Sequence, residues 1–254
     1  MIRLFSTLCL SLFLLGASWA TEIICTFNAT QIKPGDIIRM DIFSPEPVTD
    51  AHIRLFNRKH TFMKRNEGQL VIYHYYMFFG VPRRLKPQTY ECKVTLKSNT
   101  KIILNRAYEF NLLAAKKGKK SKLKFKPKKN KIVDDRDTLA KEGVLLSRAF
   151  KHLNTRRYFD QTPFILPCKG TITSPFGATR QYNGSYSRYH SGVDIGNKTG
   201  TLINAPQNGR VILIKPMKIH GNTIVMDHGL GISSVFNHLS EVLVQTGQYV
   251  KKGK

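Results

Sequence analysis

The sequence lacks a hydrophobic run long enough to span a bilayer, an internal repeat, and any motif that reads nucleic-acid bases. Its most apolar stretch runs from Leu8 to Leu15, well short of the roughly 20 residues that a membrane-spanning helix needs. No cysteine follows this stretch at the point where a lipid would be attached. These absences exclude a repeat architecture and argue against a transmembrane anchor and a lipid anchor at this point.

The first twenty residues instead predict a secretory signal. Arg3 supplies the positive start, the apolar stretch follows, and Ser18-Trp19-Ala20 places small residues where a signal peptidase cleaves. An uncleaved anchor is the alternative interpretation. We expect a mature chain that is exported to the periplasm, the cell envelope or the extracellular space, with no transmembrane helix after cleavage.

Acidic residues are also scarce, because 16 aspartates and glutamates face 41 lysines and arginines, for a formal net charge of +25. Ten of the sixteen residues from Lys116 to Lys131 are lysine. Such a block repels itself and cannot bury apolar surface. It is interpreted either as a plain flexible linker or as an electrostatic tether to anionic cell-envelope polymers. Nucleic acid is not expected as a partner.

Cysteine is the third scarce residue type, with four in the chain. Cys9 would leave with the signal. Cys25 and Cys92 both lie in strand-like segments of the first half, and an exported protein sits where disulfides persist. They are therefore the candidate disulfide, whereas Cys168 is interpreted as a small buried hydrophobic residue.

The pattern of strands and turns predicts a mainly β protein. Residues 21–113 carry short strands separated by Pro, Gly or Asn, as in an antiparallel β-sandwich; Tyr90, two residues before Cys92, gives a loose immunoglobulin-like likeness. A Lys-rich linker follows at 114–133. Residues 134–160 hold a helix, with acidic residues in its first turn and apolar residues at helical spacing. Residues 164–254 form a second antiparallel β domain.

The chemistry-bearing residues of this second domain are His190, Asp194 and His238. In an extended strand, His190 and Asp194 would lie roughly 13 Å apart, so a shared metal requires a bend at Ser191-Gly192, which glycine permits. His238 lies on the return strand of a hairpin whose turn is Gly229-Leu230-Gly231. Taken singly, each of these signals is weak. His220 and His228 are interpreted as loop and turn residues.

Several short motifs occur together in one order, and they resemble the M23 family of zinc metallopeptidases, the LytM or lysostaphin-like peptidoglycan endopeptidases. These motifs are Ile172-Thr173-Ser174-Pro175-Phe176-Gly177, His190-Ser191-Gly192-Val193-Asp194, Ala205-Pro206-Gln207-Asn208-Gly209-Arg210-Val211, Gly221-Asn222-Thr223, Asp227-His228-Gly229 and Phe236-Asn237-His238-Leu239-Ser240.

The resemblance implies a function for four of these residues. It makes His190 and Asp194 zinc ligands, makes His238 the catalytic histidine beside the metal, and places Asn222 at the rim of the substrate groove. The implied reaction is hydrolysis of a peptide bond in peptidoglycan by a zinc-activated water.

The sequence departs from the family in one respect. The family's third zinc ligand lies in a later His-x-His motif, and this sequence contains none. We expect the sequence to be truncated before that motif. The alternative is a non-catalytic protein that binds the cell wall or regulates a hydrolase, and a third option is a product that does not fold stably.

Overall fold

The structure is a computed structural model, and it describes residues 22–60, 63–64, 72–114, 121–123, 135–151, 156–160, 162–182 and 186–254. The predicted signal and most of the lysine block lie outside these residues. No helix in the described part of the chain is both long and apolar enough to cross a membrane.

The chain forms two compact units that do not follow its linear order. The first contains residues 1–32, 37–79 and 87–112. The second contains residues 113–254 together with two short stretches from earlier in the chain, 33–36 and 80–86. A division at one point in the sequence, such as residue 113, therefore misses these two stretches.

The first unit consists of two β-sheets. One has the strand order β1-β3-β7-β6 and the other β2-β9-β8-β4-β5, with β2 and β9 parallel. The strands are β1 (Ile24–Phe27), β2 (Gln31–Ile32), β3 (Ile37–Ser44), β4 (Asp50–Leu55), β5 (Arg58–His60), β6 (Met63–Lys64), β7 (Tyr73–Gly80), β8 (Thr89–Ser98) and β9 (Lys101–Leu112).

Alternation of apolar and polar residues explains why these segments form strands with one buried face. In β3, Ile38, Met40 and Ile42 are completely buried, whereas the residues between them are less so. The two sheets meet through aromatic rings, since Phe27 of β1 packs edge-on against Phe110 of β9, with 5.0 Å between ring centroids. The unit is thus held by an apolar core between its sheets.

The second unit combines a helix with smaller sheets. Its main sheet has the order β17-β16-β15-β18 and is antiparallel throughout. The elements are β10 (Ser121–Leu123), α1 (Arg136–Phe150), β11 (Thr171–Ser174), β12 (Thr179–Tyr182), β13 (Tyr186–Tyr189), β14 (Asp194–Gly196), β15 (Gly209–Met217), β16 (Gly221–Gly229), β17 (Ile232–Leu239) and β18 (Tyr249–Val250).

Helix α1 begins where its capping residue predicts. The Asp135 carboxylate accepts a hydrogen bond from the backbone N–H of Thr138, at 2.8 Å, which satisfies an N–H that the helix leaves without a partner. The helix ends at Phe150, earlier than residue 160. The predicted range was therefore too long at its C-terminal end.

The mainly β fold is confirmed, with two differences in detail. Part of the predicted linker, Ser121–Leu123, forms a strand that pairs in parallel with β12. The hairpin of β12 and β13 was not predicted, because its residues do not alternate between apolar and polar. The immunoglobulin-like character of the first unit stays a prediction.

Candidate functional site

His190 and Asp194 meet in the second unit across a bend of the chain. The backbone of His190 is fixed on both sides: its N–H donates to Ala178 O, and its carbonyl accepts from Gly177 N, each at 2.8 Å. The chain bends at Ser191 and Gly192 and enters β14, where Asp194 pairs with Ser174 of β11. As a result, His190 Nε2 lies 3.1 Å from Asp194 Oδ1.

The predicted bend is present, but the predicted reason for it was wrong. Gly192 does not have a positive φ, so the bend does not depend on left-handed backbone. A β-carbon at this position would lie 3.9 Å from His190 Nε2, which is an ordinary van der Waals distance. The irregular pairing of β11 with β14, between Ile172 and Ser174, is the local feature that places Asp194 beside His190.

Two oxygen atoms lie close to Nδ1 of His190. Nδ1 is 3.3 Å from Pro175 O and 3.2 Å from Ser174 Oγ. The Ser174 hydroxyl can donate to Nδ1, which leaves the proton on Nε2; where Nδ1 instead donates to the Pro175 carbonyl, which can only accept, Nε2 of the neutral ring presents a lone pair. This lone pair faces a carboxylate oxygen. Two acceptors at 3.1 Å require a proton or a metal cation between them.

The geometry of this pair fits two ligands of one zinc ion. Zinc binds histidine nitrogen and carboxylate oxygen at about 2.0–2.2 Å in a tetrahedral arrangement, so two such ligands are about 3.3–3.5 Å apart. A metal-binding histidine also commonly donates its other N–H to a carbonyl, and Nδ1 of His190 lies 3.3 Å from Pro175 O, within reach of such a bond. Within the described residues, no third His, Cys, Asp or Glu completes a metal-binding group.

Arg180 of β12 contacts the second oxygen of the same carboxylate. Its Nη2 donates to Asp194 Oδ2, so one oxygen of Asp194 is held by the guanidinium while the other faces His190. The His190 side chain is 12% exposed and that of Asp194 46%, so solvent reaches the carboxylate. Sequence reasoning missed Arg180, since a lone arginine in an unpredicted hairpin gives no signal.

His238 lies at the C-terminal end of β17 with an exposed side chain and a positive φ of 59°. Its backbone N–H donates to His220 O at 2.8 Å. Gly221 lies directly beneath it, because a β-carbon on Gly221 would be 3.1 Å from the Cα of His238. The unusual backbone of His238 is therefore held by residues 220 and 221. Its catalytic role stays a prediction.

Helix α1 contacts the loop between β15 and β16, and His220 of this loop is bonded to the backbone of His238. Glu142, which is 5% exposed, accepts hydrogen bonds from Ile219 N at 3.0 Å and His220 N at 3.3 Å. His220 Nδ1 lies 2.6 Å from Glu142 Oε2. The predicted loop position of His220 is confirmed, because it lies between β15 and β16, but its side chain is only 23% exposed and pairs with Glu142. Burial alone would raise the pKa of Glu142, but the bonds from Ile219 and His220 outweigh it and hold the pKa below its usual range.

His228 and Asn222 both serve the sheet. His228 is completely buried in β16; its Nδ1 donates to Asn208 O at 2.8 Å, and its Nε2 lies 2.8 Å from Ser234 Oγ. Burial lowers its pKa. The Asn222 amide donates to Leu239 O at 3.0 Å, which joins β16 to β17. A place for Asn222 at a substrate groove stays a prediction.

Aromatic and cationic side chains lie next to the pair of His190 and Asp194 within the second unit. The Arg83 guanidinium lies 4.8 Å from the ring centroid of Tyr189, the residue before His190. Gly177 has a φ of 75°, and a β-carbon there would be 2.6 Å from Arg83 Nε. Glycine is therefore required for Arg83 to approach this closely.

Comparison with known proteins finds a family model that matches the part of the chain with the candidate site. Residues 188–254 match the model described as Peptidase family M23. The predicted resemblance is thus confirmed for these residues.

The curated relatives are several times longer than the matching region. The chain is similar to peptidoglycan DD-endopeptidase ShyB of Vibrio cholerae, at 29% identity over 117 residues, 46% of this chain and 27% of the relative. It is 35% identical over 93 residues to an uncharacterized metalloprotease of Haemophilus influenzae, covering 36% and 20%. Murein hydrolase activator EnvC of Escherichia coli is 35% identical over 63 residues, covering 25% and 15%. The chain matches less than a third of each.

A solved structure supports the fold. A crystal structure of a candidate M23 peptidase from Pseudomonas aeruginosa superposes with a TM-score of 0.52 at 22% identity, over 89% of this chain and 80% of that one. At this identity the likeness concerns the fold alone.

Proposed function

We propose that this protein is an exported endopeptidase that hydrolyses peptide bonds in peptidoglycan with a zinc ion held by His190 and Asp194. The observation that carries the proposal is the pairing of His190 Nε2 with Asp194 Oδ1 at 3.1 Å inside an M23 domain. The similarity to a peptidoglycan DD-endopeptidase supports the choice of substrate, and the predicted signal supports export.

The residues of this chain would prepare the site in three ways. The Nδ1–H bond to Pro175 O fixes the His190 ring so that Nε2 faces the metal position. The Arg180 guanidinium holds the outer oxygen of Asp194 and leaves the inner one for the metal. When bound, zinc supplies an activated water at neutral pH and polarises the peptide carbonyl. The His238 ring would donate a hydrogen bond to the oxygen that gains negative charge.

The test compares two histidine substitutions in the mature protein purified from its native source. His190→Ala is expected to lose bound zinc, measured by mass spectrometry of the metal after dialysis, and to stop the release of soluble peptides from purified peptidoglycan. His52→Ala removes an exposed histidine that pairs with Asp50 in the first unit and is expected to change neither. Retained zinc and retained hydrolysis in His190→Ala would overturn the proposal.

A second candidate function is a non-catalytic protein that binds the wall or regulates a hydrolase. It is favoured by the similarity to a murein hydrolase activator and by the two-ligand set among the described residues. Wild-type protein that sediments with peptidoglycan, releases no peptides with added zinc, and stimulates a separate hydrolase would support this function over the first.

The intact mass of the mature protein separates the two functions further. A mass above that of residues 21–254, with additional peptides that contain His-x-His, supports the endopeptidase because it supplies the third zinc ligand. A mass that corresponds to residues 21–254 supports the binding function.

A further inference from the structure

A cationic cleft lies in the second unit and takes no part in the proposed zinc chemistry. It has a volume of about 250 Å³ and is lined by Arg156, Arg157, Tyr158, Arg210 and Tyr249. We call it the arginine cleft. Of the five described residues that line it, three carry a positive charge and two are aromatic, a composition that differs from the mostly apolar lining of common small-molecule pockets.

Strand pairing and close backbone packing fix the walls of the arginine cleft. Arg210 of β15 and Tyr249 of β18 are direct cross-strand partners, so their side chains lie on the same face of the sheet. On the opposite wall, Tyr158 N–H donates to His228 O at 2.9 Å. Gly229 has a φ of 84°, and a β-carbon there would collide with the Arg156 carbonyl. Arg156 and Tyr158 are thus anchored on β16.

The aromatic rings of the cleft are also ordered. Tyr158 and Tyr249 meet edge to face, with 6.0 Å between centroids and an interplanar angle of 60°. The Arg156 guanidinium lies 5.6 Å from the centroid of Tyr158. This packing restricts side chains that are otherwise flexible, so less conformational entropy is lost when a ligand binds.

Two of the three arginines have no acidic partner in the described part of the chain. The ion pairs found there involve other side chains, and neither Arg157 nor Arg210 is among them. The Arg157 guanidinium lies 5.6 Å from the ring centroid of Phe159, a contact that leaves its N–H donors available. Neither Arg157 nor Arg210 therefore has a salt bridge within the described residues, although Asp227 is the direct cross-strand partner of Arg210.

These observations select one class of ligand. The guanidinium groups of Arg157 and Arg210 together exceed the single charge and two oxygens of a carboxylate, whereas a phosphate monoester carries about −1.5 to −2 charges and three acceptor oxygens. The tyrosine rings add an apolar surface on which the C–H face of a sugar can pack. We propose that the arginine cleft binds the phosphate monoester group of a phosphorylated saccharide. The proposal does not depend on the zinc site.

The test is a calorimetric titration of the complete protein with glucose 1-phosphate, with unphosphorylated glucose and inorganic phosphate as comparison ligands. Glucose 1-phosphate is expected to give saturable binding, inorganic phosphate weaker binding and glucose none. Arg157→Gln and Arg210→Gln should each weaken binding about tenfold or more, since each removes a charge-assisted hydrogen bond.

Arg54→Gln is the matched control, because it removes the same charge from an exposed position in the first unit; its affinity should stay within about twofold of wild type. The absence of saturable binding by the wild type would overturn the proposal. So would an equal loss of affinity in Arg54→Gln and Arg210→Gln, which indicates attraction by net charge alone. If inorganic phosphate binds as tightly as glucose 1-phosphate, the proposal that the cleft also recognises the sugar is overturned.

Discussion

The two compact units fill their interiors with different kinds of residue. Among the described residues, the twelve largest fully buried side chains divide unequally between them: Ile32, Ile38, Met40, Ile42, Ile53, Leu55, Tyr75, Leu96, Phe110 and Leu112 belong to the first unit, whereas His228 and Gln207 belong to the second. The first unit is stabilised by removing apolar surface from water. The second buries polar groups that are stable there only when hydrogen-bonded.

Both fully buried polar side chains of the second unit, Gln207 and His228, are hydrogen-bonded. The Gln207 amide donates to Asp160 Oδ1 and Thr162 O, both at 2.9 Å, and its oxygen accepts from Asn208 N at 2.8 Å. Hydrogen bonds of this kind are directional, so they position groups more strictly than apolar contacts do. The unit that carries the candidate site thus adds directional contacts to an apolar core, which consists of Ala205, Val211, Ile224, Met226 and Val250.

The largest effect on stability is expected when apolar volume is removed from the core of the first unit. Phe110→Ala is expected to cost about 3–5 kcal/mol, because the ring is completely buried and a cavity remains. Hydrogen exchange by mass spectrometry should report this as a loss of protection in β8 and β9. Protection within about 1 kcal/mol of the wild type would contradict an apolar core as the main source of stability.

The predicted disulfide would add stability to the same unit, whereas Phe110→Ala removes it. Cys25 and Cys92 are free thiols in this structure, and burial, followed by the neighbouring Cys25, raises the pKa of Cys92 to about 12. A bond between them would close a loop of 67 residues (92 − 25) and stabilise the protein by about 4 kcal/mol.

The measurement is urea unfolding with and without reductant, together with the mass gained on alkylation of the denatured protein. A Cys168→Ser variant should behave as the wild type, whereas Cys92→Ser should show no effect of reductant. Equal unfolding of wild type and Cys92→Ser under oxidising conditions would argue against the disulfide. Because a protonated thiol is a poor nucleophile, oxidation is expected to be faster before the sheets close than after.

Glu142 offers a smaller perturbation that is specific to the second unit. Glu142→Gln keeps the shape but replaces a carboxylate that accepts from Ile219 and His220, and it is expected to cost about 1.5–3 kcal/mol. Exchange should rise at residues 217–221 and 238, since His220 O holds the His238 N–H.

The proposed peptidoglycan hydrolysis should fall in Glu142→Gln through kcat more than through KM, because Glu142 holds His220, whose carbonyl accepts from the His238 N–H. Asp137→Asn is a suitable control, as it alters an exposed carboxylate on the same helix that pairs with Lys141. Equal kinetics for the two variants would refute the positioning role.

The smallest expected effect is a pH dependence from His228. Its pKa in the folded protein lies below the ordinary 6.5 because of burial, so the unfolded chain binds a proton more readily. Stability from this group is therefore complete above about pH 6.5 and declines as the pH falls toward the folded pKa. Unfolding curves measured between pH 8 and 5 should show the free energy of unfolding falling with pH. In His228→Asn, the part of this decrease that comes from His228 should be absent. An unchanged slope in the variant would assign the effect to another group.

Predictability from sequence followed the same division between the units. Alternation located β3 and β9 closely, because one buried face imposes a period of two on the residues. The Gly229-Leu230-Gly231 turn was equally readable, and all three residues have positive φ. The motif around His190 and Asp194 also brought its residues together as expected.

The contacts that hold the candidate site could not be predicted in this way. Glu142 and His220 are 78 residues apart, and Arg180 reaches Asp194 from a different strand. Such pairs produce no periodic pattern in the sequence, because each consists of two single side chains that come together only in the folded protein. Short polar strands such as β12 lack the apolar face from which sequence reasoning begins.

The discontinuous composition of the second unit has a consequence for how this protein could be recombined. Residues 33–36 and 80–86 belong to that unit, and Arg83 among them stacks on the residue that precedes His190. Exchange of domains by joining gene segments moves contiguous stretches. A segment that starts at residue 113 lacks Arg83, so Tyr189 would lose its cation–π contact. A contiguous gene segment that encodes the whole second unit must therefore start at residue 33.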